Sequence, residues 1–315
     1  MASKTDKNMG GSDVKIWRIH LKTDIGEGLT RQDLLQFCQE NNLIGVGWSK
    51  IDTCRNTEEA IREQLTAFSE YEDKTTALKS LNAMRKMEVG DLIWTRLDSV
   101  YYLCEVIGLW ENRSPDERHE RFDICNYVNV KWERIGLEQN VPGHVISSFR
   151  SSAPVQAVYS VEDISMLIWN RNVHSSDYLI DKAKTDIWKN LSDQAIEEVV
   201  LLYLQYQYGY HIYSSTVKYS LPIYECEMVN NAGCHAFPQV KSGDVILDAN
   251  DFMQAIYDDE NADVFLFAVS EMYTKNSCCQ IHYLYKDELE SFMKEQSSLL
   301  PSLTHYWLEL SGFFE

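Results

Sequence analysis

The segment from residue 221 to residue 243, LPIYECEMVNNAGCHAFPQVKSG, contains two strand-like stretches separated by a turn. Successive side chains of a strand point to opposite faces, so residues two apart share a face. That period places Glu225 and Glu227 on one face of the first stretch. It places Gln239 and Lys241 together on the second stretch. If the two strands are neighbours, the acidic side chains and the lysine converge.

The sequence around this segment predicts an α/β sheet domain over residues 191–315. Ser192 can cap a helix that carries an apolar stripe and ends at Gly209. Three strand candidates follow the helix: HIYSSTV, LPIYECEMV and AFPQVKSG. A helix, two further strands and a last helix complete the order, and such alternation is typical of a layered α/β domain.

An acid on one strand and Q-V-K-S-G at the end of the next resemble the core of the PD-(D/E)XK nucleases, especially the Mrr-type restriction endonucleases. The upstream helix, IEEVVLLYLQYQYGY, resembles the first helix of that fold and of archaeal Holliday-junction resolvases. In that helix a glutamate precedes a Gly-aromatic pair by about three turns. Glu198 stands at the matching distance from Gly209, and Glu197 is the alternative. The resemblance spans about residues 185–295 of this sequence.

The resemblance implies a Mg²⁺- or Mn²⁺-dependent endonuclease with four catalytic residues: Glu198, Glu225, Gln239 and Lys241. Glu225 and Gln239 would be metal ligands, with Glu227 as a further ligand, and Lys241 would be the catalytic lysine. The sequence departs from the family pattern in having Glu for Asp at 225 and Gln for Glu at 239. A neutral amide oxygen binds a divalent cation more weakly than a carboxylate does. The alternative interpretation of these side chains is the solvated face of an edge strand beside a surface lysine.

The N-terminal half, residues 14–172, is predicted to be mostly β structure with flanking helices, including helical sequence from Thr57 to Met84. Within it, IGVGWS (44–49) and MEVGDLIWTR (87–96) are the distinctive segments. They resemble the G-x-G-W strand and the M-x-V-G-D turn of the PUA-like superfamily, in particular its EVE and YTH branch. That resemblance implies a small β-barrel that accepts a modified base.

A base taken out of its stack is held by aromatic faces and by hydrogen bonds to its edge. On that logic the predicted modified-base pocket consists of Trp17, Trp48, Ser49 and Trp94. The alternative is that these tryptophans belong to the core, as large aromatic side chains usually do. Arg18, Arg96 and Arg150 are candidate phosphate contacts or, equally, surface arginines.

The fold class predicted is therefore two domains: an N-terminal PUA-like β-barrel with flanking helices (α+β) and a C-terminal α/β restriction-endonuclease-like fold. Residues 1–13 are predicted to be a disordered tail and 173–190 a linker. The eight cysteines include no CxxC pair, which indicates a reducing, cytoplasmic setting. Zinc binding by Cys226, Cys234, His235 and the Cys278–Cys279 pair is a weaker alternative. No apolar run reaches the length of a membrane span, and the first residues lack the apolar core of a signal peptide.

The charge is strongly acidic and unevenly distributed. The net charge is −19: residues 1–175 carry 21 basic and 26 acidic side chains, and residues 176–315 carry 8 and 22. Phosphate contacts provide most non-specific affinity for DNA, so this balance opposes broad, tight binding to nucleic acid. A nuclease of this charge needs a locally basic DNA-facing surface or bound metal.

The leading hypothesis is a modification-dependent, type IV-like DNA endonuclease of bacterial antiviral defence that acts in the cytoplasm on DNA with modified bases. The alternative is a catalytically inactive nucleic-acid- or protein-binding sensor built on a degenerate nuclease fold, which the acidic C-terminal half favours. RNA is a weaker substrate candidate, because EVE and YTH relatives divide between DNA and RNA. A homodimer is expected for an enzyme that cuts both strands.

Overall fold

The computed structural model describes residues 9–10, 14–52, 54–112, 117–174, 176–180, 186–216 and 224–314. The chain divides into two compact units, Met1–Thr185 and Asp186–Glu315. The division lies within the stretch predicted as a linker. Of the predicted tail, Met9–Gly10 forms a short parallel strand pair with Tyr178–Leu179, and the rest of 1–13 lies outside the described residues. In the part of the chain that the structure describes, no helix is both long and apolar enough to cross a bilayer.

The N-terminal unit contains nine strands among its described residues: β1 (Met9–Gly10), β2 (Ile16–Ile19), β3 (Leu43–Val46), β4 (Leu92–Leu97), β5 (Val100–Val106), β6 (Glu111–Asn112), β7 (Asn126–Gly136), β8 (Val155–Val158) and β9 (Tyr178–Leu179). Seven of them form one mixed sheet with the order β3-β7-β5-β4-β2-β8, and β6 pairs with β7. The sheet is curled like half of a barrel. Strands β3 and β8 are its two edges, and in the described residues they do not pair with each other.

The helices of this unit are α1 (Arg31–Glu40), α2 (Glu58–Ala67), α3 (Lys74–Arg85), α4 (Glu117–Phe122), α5 (Gly143–Ser148) and α6 (Glu162–Val173). The helical sequence from Thr57 to Met84 forms two helices instead of one. The second begins at Asp73, whose side chain accepts a hydrogen bond from the Thr76 N–H at 2.9 Å. This cap satisfies an N–H that would otherwise lack a helical partner.

One face of β2 lies in the main hydrophobic core of this unit. Trp17 and Ile19 of β2 are buried with Leu34 of α1, Ile61 of α2 and Leu81 of α3. The alternation of the strand sends the residues between them to the opposite face. Helices α1, α2 and α3 therefore cover one side of the curled sheet.

Among its described residues the C-terminal unit contains five α-helices: α7 (Ile187–Asn190), α8 (Asp193–Tyr208), α9 (Met253–Asp258), α10 (Lys286–Glu295) and α11 (Ser302–Leu310). Its described strands are β10 (His211–Ile212), β11 (Met228–Val229), β12 (His235–Lys241), β13 (Leu247–Asp248), β14 (Asp263–Ala268), β15 (Tyr273–Thr274) and β16 (Ile281–Leu284). The main sheet has the order β10-β11-β12-β14-β16, and β13 pairs with β15 separately. Strand β11 is antiparallel to both neighbours, whereas β12, β14 and β16 are parallel.

Strand β14 is buried on both faces, as expected of a parallel strand covered by helices. Val264 and Leu266 lie in a core with Phe252 and Ile256. Phe267, two residues from Phe265 on the other face, lies with its ring centroid 5.1 Å from that of Trp188. Both units thus contain strands and helices, and the chain is a mixed α/β protein.

Two strands predicted from the sequence are short in the structure. HIYSSTV gives only β10 within its described residues, and LPIYECEMV gives only β11. Residues 217–223 lie outside the described residues. The Glu225 N–H nevertheless donates to the Pro238 carbonyl at 2.9 Å, so the chain before β11 continues beside β12.

Candidate functional site

The end of β12 is where the acid- and lysine-bearing segments meet. Strand β12 lies between β11 and β14, and it carries Gln239, which is 5% exposed, and Lys241, its exposed last residue. The Glu225 carboxylate oxygen Oε1 accepts hydrogen bonds from Gln239 Nε2 at 2.6 Å and from the Val240 N–H at 3.3 Å. The structure therefore brings Glu225 and Gln239 into direct contact.

Helix α8 adds a second glutamate to this end of the sheet. The pKa of the half-buried Glu197 is raised by burial first and then by the negative charges of Glu225 and Asp193, while Lys241 acts in the opposite direction. Asp193 is one turn before Glu197, and its carboxylate accepts a hydrogen bond from the Ser242 hydroxyl at 2.8 Å. Three carboxylates thus lie close enough to interact around one lysine. We call these four residues, with Gln239, the carboxylate cluster.

Glu198, the glutamate selected from its distance to Gly209, is exposed, and it is not among the charged groups that shift the pKa of Glu197. Each residue of a helix is rotated by about 100° from the one before it. The buried stripe of α8 centres on Ile196 and Val200, so Glu197 flanks the stripe and Glu198 lies opposite it. The helical period of the sequence was therefore sufficient to place Glu197, and not Glu198, beside the buried stripe.

Glu227, the third predicted metal ligand, lies elsewhere. Its carboxylate is 3.8 Å from Nδ1 of His235, which also contacts the Asp259 carboxylate at 2.6 Å. His235 is the first residue of β12 and Lys241 is the last. A strand rises about 3.3 Å per residue, so these two ends are about 20 Å apart. Glu227 therefore does not join the carboxylate cluster.

The donor set of the carboxylate cluster suits a hard divalent cation. Mg²⁺ commonly uses one or two carboxylates and keeps several waters, and Mn²⁺ also prefers oxygen ligands. Glu197 and Glu225 supply carboxylate oxygens, and the mutual repulsion that raises the Glu197 pKa would be offset by a cation. Among the described residues, no group of three or more His, Cys, Asp or Glu side chains is arranged to hold a metal ion. The candidate zinc ligands therefore form no such group: Cys226, Cys234, His235, Cys278 and Cys279.

The N-terminal unit contains a cavity of about 440 Å³ beside the G-x-G-W segment, here called the Trp48 cavity. Its lining residues come from five separate segments of the chain: His20, Lys22, Thr23, Asp24, Val46, Gly47, Trp48, Tyr71, Asp123, Ser152 and Pro154. The volume is within the range of small-molecule sites, about 300 to 1,000 Å³.

Two residues of the Trp48 cavity have left-handed backbone conformations that side chains rarely adopt. Trp48 has φ +61° and Asp123 has φ +49°. Gly47, which precedes Trp48 in the chain, packs against the Asp123 side chain, since a Cβ at that position would be 2.2 Å from the Asp123 Oδ1. A bulky residue such as Trp rarely adopts this conformation, whereas Asp adopts it more readily, and such backbone persists only when the surroundings impose it.

Asn126, which is fully buried at the start of β7, imposes the Trp48 conformation. Its side-chain amide donates to the carbonyls of Gly47 and Trp48, the second at 2.8 Å. Its oxygen accepts from the Trp110 indole at 3.2 Å and from the Asn112 amide at 3.1 Å. Every hydrogen-bonding group of the side chain is thereby used, which is the condition for burying it at low cost.

The Trp48 cavity contains one carboxyl group with a markedly raised pKa. Burial raises the pKa of Asp123 to about 6, although the carboxylate accepts a hydrogen bond from the Asp24 N–H at 3.1 Å. His20 is buried too, which lowers its pKa to about 4, and its Nε2 lies 2.9 Å from the Ser151 carbonyl. At neutral pH the cavity therefore presents a carboxylate and a neutral imidazole.

Of the residues predicted for the modified-base pocket, Trp48 alone appears among the described lining of this cavity. The Trp17 indole is buried and donates to Asp91 of the M-x-V-G-D turn at 2.7 Å. Trp94 is fully buried and donates to the Ser165 hydroxyl at 3.0 Å. Ser49 is half-buried beside Trp48, and its carbonyl accepts from Asn112. The first two tryptophans serve as core residues.

The arginines predicted as phosphate contacts differ in accessibility. Arg18 is fully buried, and burial together with Arg96 lowers its pKa to about 10. The Arg96 guanidinium lies over the Phe149 ring at 5.1 Å, and Arg150 is exposed. Arg18 is therefore a buried structural residue, held by Gln156 at 2.8 Å.

Asp123, Tyr71 and Asn126 were not selected from the sequence as site residues, and Glu197 was named as the alternative to Glu198. For the first three no local pattern exists, because the chain separations between them and Trp48 range from 23 to 78 residues. Their roles depend on which distant segments pack together. Only Glu197 carried a usable sequence signal, its place beside the apolar stripe of α8.

Comparisons with known proteins find one family. A family model described as a domain of unknown function (DUF8426) matches residues 17–159, the part of the N-terminal unit that contains the Trp48 cavity. No curated protein and no solved structure matches the chain. Residues 17–159 of this chain are therefore similar to that family of unknown function.

Proposed function

We propose that this protein is a modification-dependent DNA endonuclease: the N-terminal unit binds a modified base and the C-terminal unit hydrolyses a phosphodiester bond. The observation that carries the proposal is the convergence of Glu197, Glu225, Gln239 and Lys241 at one end of β12. Phosphodiester hydrolysis needs carboxylates for a divalent cation and a group that orients water or offsets developing charge.

In this proposal each residue of the carboxylate cluster has a separate task. Glu225 and Glu197 would hold Mg²⁺ or Mn²⁺, which would supply Lewis-acid stabilisation of the phosphate oxygens. Lys241, exposed at the end of β12, orients the attacking water or offsets charge on the phosphate. Gln239 fixes the Glu225 carboxylate through its 2.6 Å hydrogen bond.

The proposed C-terminal fold is the restriction-endonuclease-like fold of the PD-(D/E)XK proteins. It is supported by a helix that precedes a mixed sheet, and by an acidic segment next to the strand that bears Q-V-K. For the N-terminal unit we retain the PUA-like, EVE- or YTH-related fold, which the curled sheet and the cavity at Trp48 support.

The Trp48 cavity supplies the two interactions that a reader of an extruded base needs. Trp48 and Tyr71 offer aromatic surfaces, and stacking contributes about 1 to 3 kcal/mol per base. Asp123 offers an acceptor for an amino or imino N–H on the base edge. Cytoplasmic defence against foreign DNA and a homodimer are parts of the same proposal.

The test is cleavage of phage DNA that contains modified cytosines, in Mg²⁺, beside unmodified DNA. Lys241→Ala is compared with Lys294→Ala, which removes an exposed lysine of α10 in the same unit. Cleavage confined to modified DNA, lost with Lys241→Ala and kept with Lys294→Ala, supports the proposal. Equal activity of the two variants contradicts it.

A second candidate function, a non-catalytic sensor, is favoured by the orientation of Gln239. Its amide nitrogen, not its carbonyl, faces Glu225 and also lies 3.2 Å from the Val240 carbonyl. An amide turned this way contributes no oxygen to a cation held by Glu225. The sensor predicts modified-DNA binding without cleavage in either Mg²⁺ or Mn²⁺.

A further inference from the structure

The N-terminal unit also contains a basic groove of about 790 Å³ that is separate from the Trp48 cavity. Its described lining includes four cationic side chains: Arg62, Lys74, Lys79 and Lys86. Glu58 is the acidic residue among them, and it is paired with Arg62 at 3.1 Å. Such a concentration of positive charge is notable on a chain whose net charge is −19.

The groove is built from the facing sides of two helices and the edge strand β8. Helix α3 contributes Thr75, Lys79, Asn82 and Ala83 from one face, and Lys86, the residue after the helix, continues that face. Lys79 and Lys86 lie seven residues apart on this face, so they are about 10 Å apart along the helix. Lys74 lies about 140° from Lys79 around the helix, and its ammonium donates to the Thr66 carbonyl at 3.2 Å. Lys79 and Lys86 therefore form a pair that can contact nearby phosphates of one strand.

The two lysines of this pair are available for a ligand. Lys79 and Lys86 are exposed, and no ion pair joins either to any described residue, although Asp73 lies close enough to Lys79 to interact electrostatically. Tyr159, also part of the lining, is 74% exposed. A positive groove with an accessible aromatic ring is the combination that binds single-stranded nucleic acid.

The groove and the Trp48 cavity are lined by adjacent residues. Pro154 lines the cavity and Val155 lines the groove, and on the helical side Tyr71 belongs to the cavity and Lys74 to the groove. A strand whose base enters the cavity would thus have its neighbouring phosphates beside the groove.

We infer that the groove between α2, α3 and β8 binds the phosphate backbone of the nucleic-acid strand that flanks the base in the Trp48 cavity. The inference rests on the proposed function for the identity of the partner. It adds a binding path whose contribution to affinity does not depend on base modification, because phosphate contacts carry no sequence information.

The test measures binding of a fluorescent single-stranded 12-nucleotide DNA, unmodified or with one modified cytosine, by anisotropy without divalent cations. Lys79→Ala/Lys86→Ala is compared with Lys131→Ala/Arg134→Ala, two exposed basic residues of β7 outside the groove. Thermal unfolding of each variant verifies folding. We expect the groove variant to bind both DNAs about tenfold more weakly. The slope of the logarithm of affinity against the logarithm of salt concentration should become shallower by about 1.4.

Groove-variant affinities equal to those of the wild type or of the control variant would overturn the inference, as would a wild-type protein that binds neither DNA. Failure of the proposed function has a different signature. In that case the wild type binds modified and unmodified DNA equally, while the groove variant still weakens both.

Discussion

The two candidate sites each contain a carboxyl group whose pKa is raised first by burial and then by neighbouring acids, and they differ in how many acids surround it. Asp123 has one acidic neighbour that raises its pKa, Asp24, which also lines the Trp48 cavity. Glu197 is half-buried and has two such neighbours, Glu225 and Asp193, with Lys241 acting in the opposite direction. Three carboxylates around one lysine concentrate more negative charge than the Asp123–Asp24 pair does, and a cation would offset that charge. In the proposed function the first group would hold a divalent cation, and Asp123 would accept a hydrogen bond from a base.

The largest expected effect is on the cleavage rate, and it depends on which glutamates belong to the carboxylate cluster. Glu225→Gln and Glu197→Gln should each lower Mg²⁺-dependent cleavage by about a thousandfold, because each removes a charged ligand. Glu198→Gln should leave cleavage unchanged, since its side chain is exposed on the other side of α8. Initial rates on modified DNA measure all three variants. Equal losses for Glu197→Gln and Glu198→Gln would refute the assignment of Glu197.

The recognition site depends on the buried amide that holds the Trp48 backbone. Asn126→Ala should lower the free energy of unfolding by about 3 kcal/mol, because it leaves several buried partners unsatisfied. Asn129→Ala removes a single 3.3 Å hydrogen bond to Glu111 and should cost less than about 1 kcal/mol. Urea unfolding followed by tryptophan fluorescence measures both. Similar losses for the two variants would show that the Asn126 network does not support the cavity.

The aromatic wall of the Trp48 cavity can be tested apart from folding. Trp48→Ala should weaken binding of modified-base DNA by about 1 to 3 kcal/mol through lost stacking. Ser49→Ala is the matched variant, since the structure uses the Ser49 carbonyl and it is absent from the described cavity lining. Anisotropy titrations give both affinities. A larger loss of affinity for Ser49→Ala would mean that Ser49, and not Trp48, makes the main contact with the base.

The smallest expected effect concerns the pH dependence of Asp123. Its folded-state pKa of about 6 is above the ordinary value of 3.8, so the folded protein keeps this proton over a pH range in which the unfolded chain has lost it. The group therefore lowers stability progressively as pH rises from about 4 to about 6, by about 1 kcal/mol after allowance for partial exposure. Asp123→Asn should remove that loss, and asparagine also tolerates the left-handed backbone.

Urea unfolding at pH 5 and pH 8 measures this effect. The difference in unfolding free energy between the two pH values should be smaller in Asp123→Asn than in the wild type. An unchanged difference would mean that Asp123 titrates normally and that the cavity is not an electrostatically distinct site.

More of the C-terminal site than of the N-terminal site could be predicted from the sequence. The alternation of side chains along a strand predicted that Gln239 and Lys241 share a face, and the neighbouring segment places Glu225 in contact with Gln239. The same period grouped Glu227 with Glu225, but Glu227 contacts His235 at the other end of β12. Sharing a face does not mean sharing a site, because a strand displaces successive side chains along its length.

In the N-terminal unit the tryptophans were identified as a group, and packing decided their roles. Trp17 and Trp94 are buried with indole partners at Asp91 and Ser165, whereas Trp48 lines the cavity. Indole N–H groups find partners when they are buried, and the partners here are more than 70 residues away in the chain. No local pattern distinguishes the three.

By itself the sequence determined the periodic and capped elements: the stripe of α8, its cap at Ser192 and its end at Gly209, and the faces of β12. These follow from interactions between residues a few positions apart. The tertiary structure alone decided the left-handed Trp48 and Asp123, the pKa of Asp123, and the meeting of α3 with β8 in a basic groove. Burial, electrostatics and backbone strain depend on which distant segments pack together, and that is the physical reason they could not be predicted from neighbours in the chain.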